Sequence, residues 1–195
     1  MAKRAPLPIV ALGASAGGLE PLRSFFHSVP AGSGMAYVVV THMAPERDSM
    51  LVDILSRSTV LTVQVASDSE KIVPERVYVI PPGSFMTVEA GRLKLQKPAE
   101  HLHPKNTIDV FFAALAEDAA EQAVGIVLSG AGSDGALGIK AIKEKGGPTL
   151  AQGLDHTPLL HSSMPDSAIN TGLVDYILPP DAMVDLTLSK GSIRE

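Results

Sequence analysis

Short runs of continuously apolar residues recur along this chain, and segments with helical periodicity separate them. The clearest runs are PIVALG at 8–13, MAYVVVTH at 35–42 and AVGIVLSG at 123–130. A strand that is apolar on both faces is typical of a parallel sheet covered by helices on both sides. The alternation therefore predicts an α/β fold with a doubly wound, mostly parallel sheet.

The same patterns place the remaining elements. Further strands are predicted at 61–66, 76–83, 148–152 and 173–179, and an antiparallel hairpin at 84–96 is expected at an edge of the sheet. Helices are predicted at 19–29, 48–58, 107–121 and 134–147, within 161–172, and at 180–190. No linker divides the chain, so we expect a single domain over 1–195 with its core at about 8–180.

The composition of the chain excludes several classes of function before any motif is considered. The 195 residues carry a net charge of −5, which argues against nucleic acid as a partner because its binding rewards clustered Lys and Arg. No apolar stretch reaches the roughly 18 residues of a transmembrane helix. The chain has no Cys, which excludes disulfides and thiol nucleophiles. We expect a cytoplasmic protein with no cofactor, no metal and no membrane insertion.

Ser15, His42 and Asp134 follow three of the predicted strands at their C-terminal ends. Ligands bind beyond this edge in open α/β sheets, and these residue types are those of a nucleophile, its general base and an orienting acid. Ser15 lies in GASAG, which fits the G-x-S-x-G turn that exposes a nucleophilic serine at the start of a helix. Whether the three side chains meet depends on the strand order, which one sequence does not reveal.

Each of these residues also has a purely structural explanation. Ser15 is suited to capping the helix that follows it. His42 is suited to capping the end of the strand that precedes it. Asp134 is suited to the N-cap of its own following helix, a role compatible with a catalytic one. A dinucleotide-binding loop is excluded because GASAGG lacks the G-x-G-x-x-G spacing, and a P-loop is excluded because no G-K-[ST] follows. The order Ser, His, Asp also differs from that of ordinary α/β-hydrolases.

With these residues in place, the chain resembles the catalytic domain of the chemotaxis protein-glutamate methylesterases, the CheB family. Its sequence is most similar to those of divergent members and of members fused to a CheR methyltransferase. The resemblance covers about residues 8–180 in the family's order. It is carried by GASAGGLEPL, VVVTHMAP, VYVIPPG, IDVFFAALAED, GIVLSGAGSDGALGIKAIKEKGG, LAQ and MPDSAINTGLVDYILP.

The resemblance implies an activity and a set of site residues. The activity is hydrolysis of glutamate γ-methyl esters on chemoreceptor signalling helices with release of methanol, accompanied in many members by glutamine deamidation. The family's nucleophile falls on Ser15, its base on His42 and its acid on Asp134. The residue whose backbone amide is associated with the oxyanion falls on Ala131. The implied fold is the same doubly wound α/β domain that the residue pattern predicts.

Several positions depart from the family's usual residues. Ala131 replaces a Met, Ala16 replaces the Thr after the nucleophile, Thr107 ends a stretch that replaces Arg-Pro-Ser, and Ser163 replaces a Gly. Ala16 and Ala131, together with Met43 beside the predicted base, are the candidate oxyanion or substrate-adjacent residues. These departures bear on the substrate more than on the Ser-His-Asp set.

The resemblance also implies partners. We expect a methyl-accepting chemoreceptor or receptor-like protein as substrate, and a methyltransferase or a separate receiver domain as a further partner. The family's N-terminal receiver domain is expected to be absent from these residues. Two other functions stay open: a non-catalytic scaffold module of a chemosensory pathway, which the complete Ser-His-Asp set disfavours, and an esterase of small molecules.

Overall fold

The computed structural model describes residues 6–42, 45–98, 105–153, 159 and 161–192, apart from the side chains at 45–49 and 190–192. Its strands are β1 Ile9–Ala14, β2 Ala36–Thr41, β3 Thr62–Val65, β4 Arg76–Val79, β5 Phe85–Glu89, β6 Arg92–Gln96, β7 Ala123–Val127, β8 Thr149–Gln152 and β9 Tyr176–Leu178. Its α-helices are α1 Leu19–Ser28, α2 Pro45–Ser56, α3 Thr107–Ala119, α4 Ala136–Glu144, α5 Ser163–Ile169 and α6 Pro180–Ser192. Within these ranges, no helix is long and apolar enough to cross a bilayer.

Seven of the strands form one parallel sheet in the order β3-β4-β2-β1-β7-β8-β9. The central strand β1 is buried along its whole length, as are its neighbours β2 and β7. After β1 the chain builds one half of the sheet and then returns to the other side of β1 through β7. This reversal between β1 and β7 is the position where open α/β sheets bind ligands. The predicted doubly wound α/β fold is confirmed.

Helices cover both faces of the sheet and bury two separate apolar cores. One core packs α1, α2 and α6 against the sheet, and it includes Phe25, Phe26 and Tyr37 in edge-to-face contacts. The other packs α3, α4, α5 and the β5–β6 hairpin against the opposite face. The start of α3 lies directly on β1, because a Cβ at Gly13 would stand 2.5 Å from Cγ2 of Ile108.

The predicted hairpin forms, with β5 and β6 antiparallel in a two-stranded sheet of their own. It packs on α3 through alternate apolar residues, and the Asp118 carboxylate at the far end of α3 accepts hydrogen bonds from the N–H groups of Ala90 and Gly91 in its turn. An isolated antiparallel bridge joins Lys71 to Arg92. The hairpin is therefore held by a helix and a loop rather than by an edge strand of the large sheet.

Candidate active site

Ser15 lies in the turn that joins β1 to α1. Its N–H donates to the carbonyl of Ser129 at 3.0 Å, and its own carbonyl accepts from the N–H of Gly18 at 2.9 Å. Gly17 has a φ of +72°, which favours glycine, and Gly18 is the N-cap of α1. The backbone of Gly130 approaches closely, because a Cβ there would lie 2.9 Å from Cβ of Ser15. The predicted strand–serine–helix turn is thus present, at the centre of the sheet.

His42 lies one strand away from Ser15. Ala14 pairs with Thr41 across β1 and β2, and the N–H of His42 donates to the carbonyl of Ala14 at 3.3 Å. The imidazole is partly exposed, with a quarter of its side chain open to solvent. The hydroxyl of Thr107, at the start of α3, lies 3.4 Å from Nδ1 and 3.3 Å from Nε2 of the ring. Sheet register therefore places the His42 backbone beside Ala14, the residue that precedes Ser15.

The Asp134 carboxylate contacts His42 directly. Its Oδ2 is hydrogen-bonded to Nε2 of the ring and also accepts from the N–H of Ile108 at 2.9 Å. Its Oδ1 accepts from the N–H groups of Asp109 at 2.8 Å and Gly135 at 2.9 Å. Burial raises the pKa of Asp134, but the hydrogen bonds from His42, Asp109 and Ile108 outweigh it, so the pKa lies below its usual range. An ionised carboxylate is thus fixed against the imidazole.

Asp134 caps a different helix from the one expected. The helix that follows it begins at Ala136 with Gly135 as N-cap and no side-chain cap bond, so the predicted N-cap role on its own helix is wrong. Its oxygens instead accept from the first turn of α3. Asp109 in that turn does the reverse: its Oδ1 accepts from the N–H groups of Gly135 at 2.9 Å and Gly138 at 2.7 Å, at the start of α4. The two helix N-termini exchange carboxylates.

The exchanged carboxylates lie close enough to influence each other. Burial raises the pKa of Asp109, the hydrogen bond from Gly138 opposes part of that rise, and the charge of Asp134 adds to it. Asp134 differs because it has the imidazole as a partner for its charge. The pair therefore separates into one carboxylate with a raised pKa and one with a lowered pKa.

Two backbone N–H groups near Ser15 have no hydrogen-bond partner among the described residues. Ala131 is exposed on the loop after β7, and Ala16 directly follows the serine. Among the described residues, neither N–H makes a hydrogen bond, and the hydroxyl of Ser15 makes none either. Met43, the other residue predicted beside the site, lies outside the described residues. The structure thus joins His42 to Asp134 and sets Ser15 in the turn after the neighbouring strand, next to two N–H groups that are unpaired among the described residues.

Sequence reasoning missed Asp109, Ser129 and the contact made by Thr107. Ser129 is buried, and its hydroxyl lies 3.1 Å from the carbonyls of both Ala16 and His161, so it fixes the serine turn to the segment before α5. The signal for Thr107 and Asp109 was their place at the start of a predicted helix, where side chains face the ends of neighbouring elements. Across the described ranges, no group of three or more acidic or histidine side chains is arranged to hold a metal.

Comparison with known proteins gives matches along most of the chain. A family model described as CheB methylesterase matches residues 10–187. The chain is 35% identical over 183 residues to "Protein-glutamate methylesterase/protein-glutamine glutaminase 1" of Carboxydothermus hydrogenoformans, covering 91% of this chain and 53% of that protein. It is 31% identical over 178 residues to "Putative protein-glutamate methylesterase/protein-glutamine glutaminase" of Leptospira interrogans, covering 91% of each.

A solved structure agrees with the sequence matches. The CheB methylesterase catalytic domain of Thermotoga maritima superimposes with a TM-score of 0.82 at 27% identity, covering 94% of this chain and 98% of that one. The chain spans about half the length of some curated relatives, such as that of Carboxydothermus at 53%, and nearly all of the Leptospira protein at 91%. The similarity therefore extends over one catalytic-domain unit.

Proposed function

We propose that this chain, which belongs to the CheB methylesterase family, is a serine hydrolase that cleaves glutamate γ-methyl esters on methyl-accepting receptor proteins. The observation that carries the proposal is the His42–Asp134 hydrogen bond, located one strand from Ser15 at the reversal point of the sheet. The names of the relatives in Carboxydothermus and Leptospira support the same activity.

In the proposed reaction, the hydroxyl oxygen of Ser15 attacks the ester carbonyl and His42 takes its proton. Asp134 bonds Nε2 of the ring, so the proton is received at Nδ1, which has the Thr107 hydroxyl 3.4 Å away. The tetrahedral intermediate then expels methoxide, which leaves as methanol with the proton from His42. Water, deprotonated by the same ring, then hydrolyses the acyl-serine. This step restores the glutamate side chain of the substrate protein, and the ring returns the proton to Ser15. The buried Asp134 carboxylate orients the ring and stabilises its charged form.

The negative oxygen of the tetrahedral intermediate needs hydrogen-bond donors. The N–H groups of Ala16, in the same turn as Ser15, and of Ala131, on the loop after β7, are suited to this role because they are unpaired among the described residues. Replacement of a Met by Ala131 leaves the backbone donor unchanged, since the N–H does not depend on the side chain. Ala16 supplies the donor directly after the nucleophile.

Glutamine deamidation is part of the proposal as a weaker activity. The same steps on a glutamine amide release ammonia instead of methanol, and an amide has the poorer leaving group. We propose that the substrate is a chemoreceptor or receptor-like protein in the cytoplasm. A methyltransferase or a separate receiver domain is proposed as a further partner.

The first test is methanol release from methylated receptor membranes. Ser15→Ala removes the attacking oxygen, and loss of such a nucleophile lowers kcat by roughly 10⁴-fold or more. Ser28→Ala is the matched control, because Ser28 is an exposed serine whose hydroxyl bonds only to the carbonyl of Ser24 in its own helix among the described residues. It should release methanol like the unmodified protein. Methanol release by the Ser15 variant at the unmodified rate would refute the assignment.

The same assay separates the two alternatives. A scaffold module would release no methanol in either form. A small-molecule esterase would hydrolyse a generic activated ester in a Ser15-dependent manner and leave the methylated receptor intact. Hydrolysis of the receptor ester that depends on Ser15 is the outcome expected here.

A further inference from the structure

The loop after β7 carries the N–H of Ala131, which is unpaired among the described residues, and the side chain of Ser163 bonds to the peptide groups on both sides of Ala131. The hydroxyl of Ser163, the first residue of α5, accepts a hydrogen bond from the N–H of Gly132 at 3.0 Å. The same hydroxyl lies 3.4 Å from the carbonyl of Gly130, to which it donates. Ser163 therefore contacts the peptide group before Ala131 and the peptide group after it.

This arrangement fixes the direction of the Ala131 N–H. The carbonyl of Gly130 and the N–H of Ala131 belong to one planar trans peptide, so they point in opposite directions. The Gly130 carbonyl is held toward α5 by the hydroxyl of Ser163 and by the N–H of Met164 at 3.1 Å. The Ala131 N–H consequently points away from α5, on a peptide whose Gly130 is packed against Ser15.

Without the Ser163 hydroxyl the loop would be less restrained, because the Ser167 hydroxyl, 3.4 Å from the carbonyl of Gly132, does not bond to the N–H groups of the loop. Ala131 and Gly132 are exposed, and Gly132 has a φ of +91°, a conformation that glycine leaves easily. Among the described residues, the N–H of Gly132 makes one hydrogen bond, to the hydroxyl of Ser163. The Met164 bond to Gly130 is a backbone bond and would remain after substitution of Ser163.

We propose that Ser163 is a positioning residue, which orients the Ala131 N–H toward the oxyanion formed on Ser15. The inference rests on the proposed function, because it needs Ser15 to be the attacking group. Ser163 contacts no reacting atom in this role. Its effect is on the transition state, in which the oxyanion forms, rather than on binding of the ester.

The test compares Ser163→Ala with Ser163→Thr, which keeps the hydroxyl, and with Ser56→Ala. Ser56 is an exposed helix serine whose hydroxyl bonds to the carbonyl of Val52 in its own helix. Removing a whole oxyanion donor costs about 10²–10³ in kcat, and loosening one should cost about tenfold. We expect Ser163→Ala to lower kcat for methyl-ester hydrolysis by that factor with KM unchanged, and Ser163→Thr and Ser56→Ala to retain kcat.

A second readout does not depend on the methyl ester. Reaction of Ser15 with a fluorophosphonate probe also forms a negatively charged oxygen at the site, so its rate should fall in Ser163→Ala and recover in Ser163→Thr. If the unmodified protein is labelled at Ser15 but releases no methanol, the proposed function fails and the labelling rates alone decide the role of Ser163. Labelling and kcat in Ser163→Ala equal to those of the unmodified protein would overturn the inference, as would a complete absence of labelling at Ser15.

Amide exchange gives a direct check of the loop itself. In Ser163→Ala the N–H of Gly132 should exchange with solvent faster than in the unmodified protein, while amides of β1 should be unaffected because that strand is fully buried. Unchanged exchange at Gly132 would also overturn the inference. A general rise in exchange across β1 would assign the kinetic loss to unfolding and count against a positioning role.

Discussion

The Asp134 carboxylate accepts hydrogen bonds from the ring of His42 and from backbone N–H groups at the start of α3. Among the described residues its two oxygens take four donors, counting the N–H of Gly135. A hydrogen bond to a charged group contributes roughly 1.5–3 kcal/mol to stability, which is more than a bond between neutral groups contributes. The residue that orients the proposed base is therefore also part of what holds α3 in place.

Asp134→Asn should destabilise the protein in a pH-dependent manner. Folding lowers the pKa of this carboxyl, so its ionised form stabilises the native state above pH ~4 and this contribution disappears as the pH falls further. The asparagine amide places an N–H₂ group against backbone donors, and we expect a loss of about 1–3 kcal/mol at neutral pH. The measurement is the free energy of unfolding by denaturant at several pH values.

The difference between the two proteins should shrink as the pH falls from neutral toward 3. Asp166→Asn, at an exposed position of α5, is the control and should show little difference at any pH. A loss of stability in Asp134→Asn that stays constant over the whole range would contradict the role of the charge.

At the scale of elements, α3 and α4 are joined at their first turns by the exchange of Asp109 and Asp134. Asp109, in α3, accepts hydrogen bonds from N–H groups at the start of α4. Asp134, just before α4, accepts them from N–H groups in the first turn of α3. The close packing behind these turns needs glycine, since a Cβ at Gly138 would lie 2.6 Å from Cβ of Phe112. A shift of either helix start would move Asp134 relative to His42.

Asp109→Ala should lower both stability and activity, and Asp118→Ala should lower stability alone. Both residues lie on α3, and each accepts hydrogen bonds from two backbone N–H groups of another element, Asp109 near the site and Asp118 at the hairpin turn. Loss of such capping contacts costs about 1–2 kcal/mol. Denaturant unfolding and methanol-release kcat measure the two effects; equal kcat losses in both variants would refute a specific link between Asp109 and the site.

The elements themselves were predictable because buried parallel strands appear as continuous apolar runs, and β1, β2 and β7 lie within one to three residues of their predicted ends. The start of α2 at Pro45 was not, since its polar first turn carries no apolar period. The exchange between Asp109 and Asp134 was also out of reach. A local pattern indicates that an Asp near a helix start is a cap, but the helix that it caps depends on three-dimensional packing.

The candidate site was partly predictable for a related reason. Position at a strand end identified Ser15 and His42, and the sheet order then placed them side by side. Contacts made by Thr107 and Ser163 depend on how α3 and α5 pack across the sheet edge. No periodicity in one sequence encodes those long-range contacts.

Across the whole molecule, the proposed site lies at an open edge of the sheet. Ala131, Gly132 and Ser133 are exposed beside it, and so is His161, which lies next to Gly17 and accepts a hydrogen bond from the N–H of Gly130. The chain has no Trp and an aromatic content of 4%, so few large aromatic side chains are available to wall the site. Such a site is suited to a substrate group presented on a broad protein surface.

An isolated methyl-glutamate peptide too short to form a helix should therefore be a poor substrate. If the proposed receptor is the substrate, it contributes contacts outside the ester, and kcat/KM on the receptor should exceed that on the peptide by about tenfold or more. Methanol release from both substrates under identical conditions measures the ratio. Equal values of kcat/KM would contradict the open-surface interpretation and favour the small-molecule esterase.

The position of β1 at the centre of the sheet has a consequence for how the protein is synthesised. β1 pairs on one side with β2, which follows it closely, and on the other with β7, which is translated long afterwards. Until Ala123–Val127 leaves the ribosome, the apolar strand Ile9–Ala14 is an edge with unpaired backbone groups, the kind of surface that pairs with other chains. If β1 and β2 pair before then, Ser15 and His42 lie on a half-built sheet, and β7 both closes that edge and is followed by Asp134.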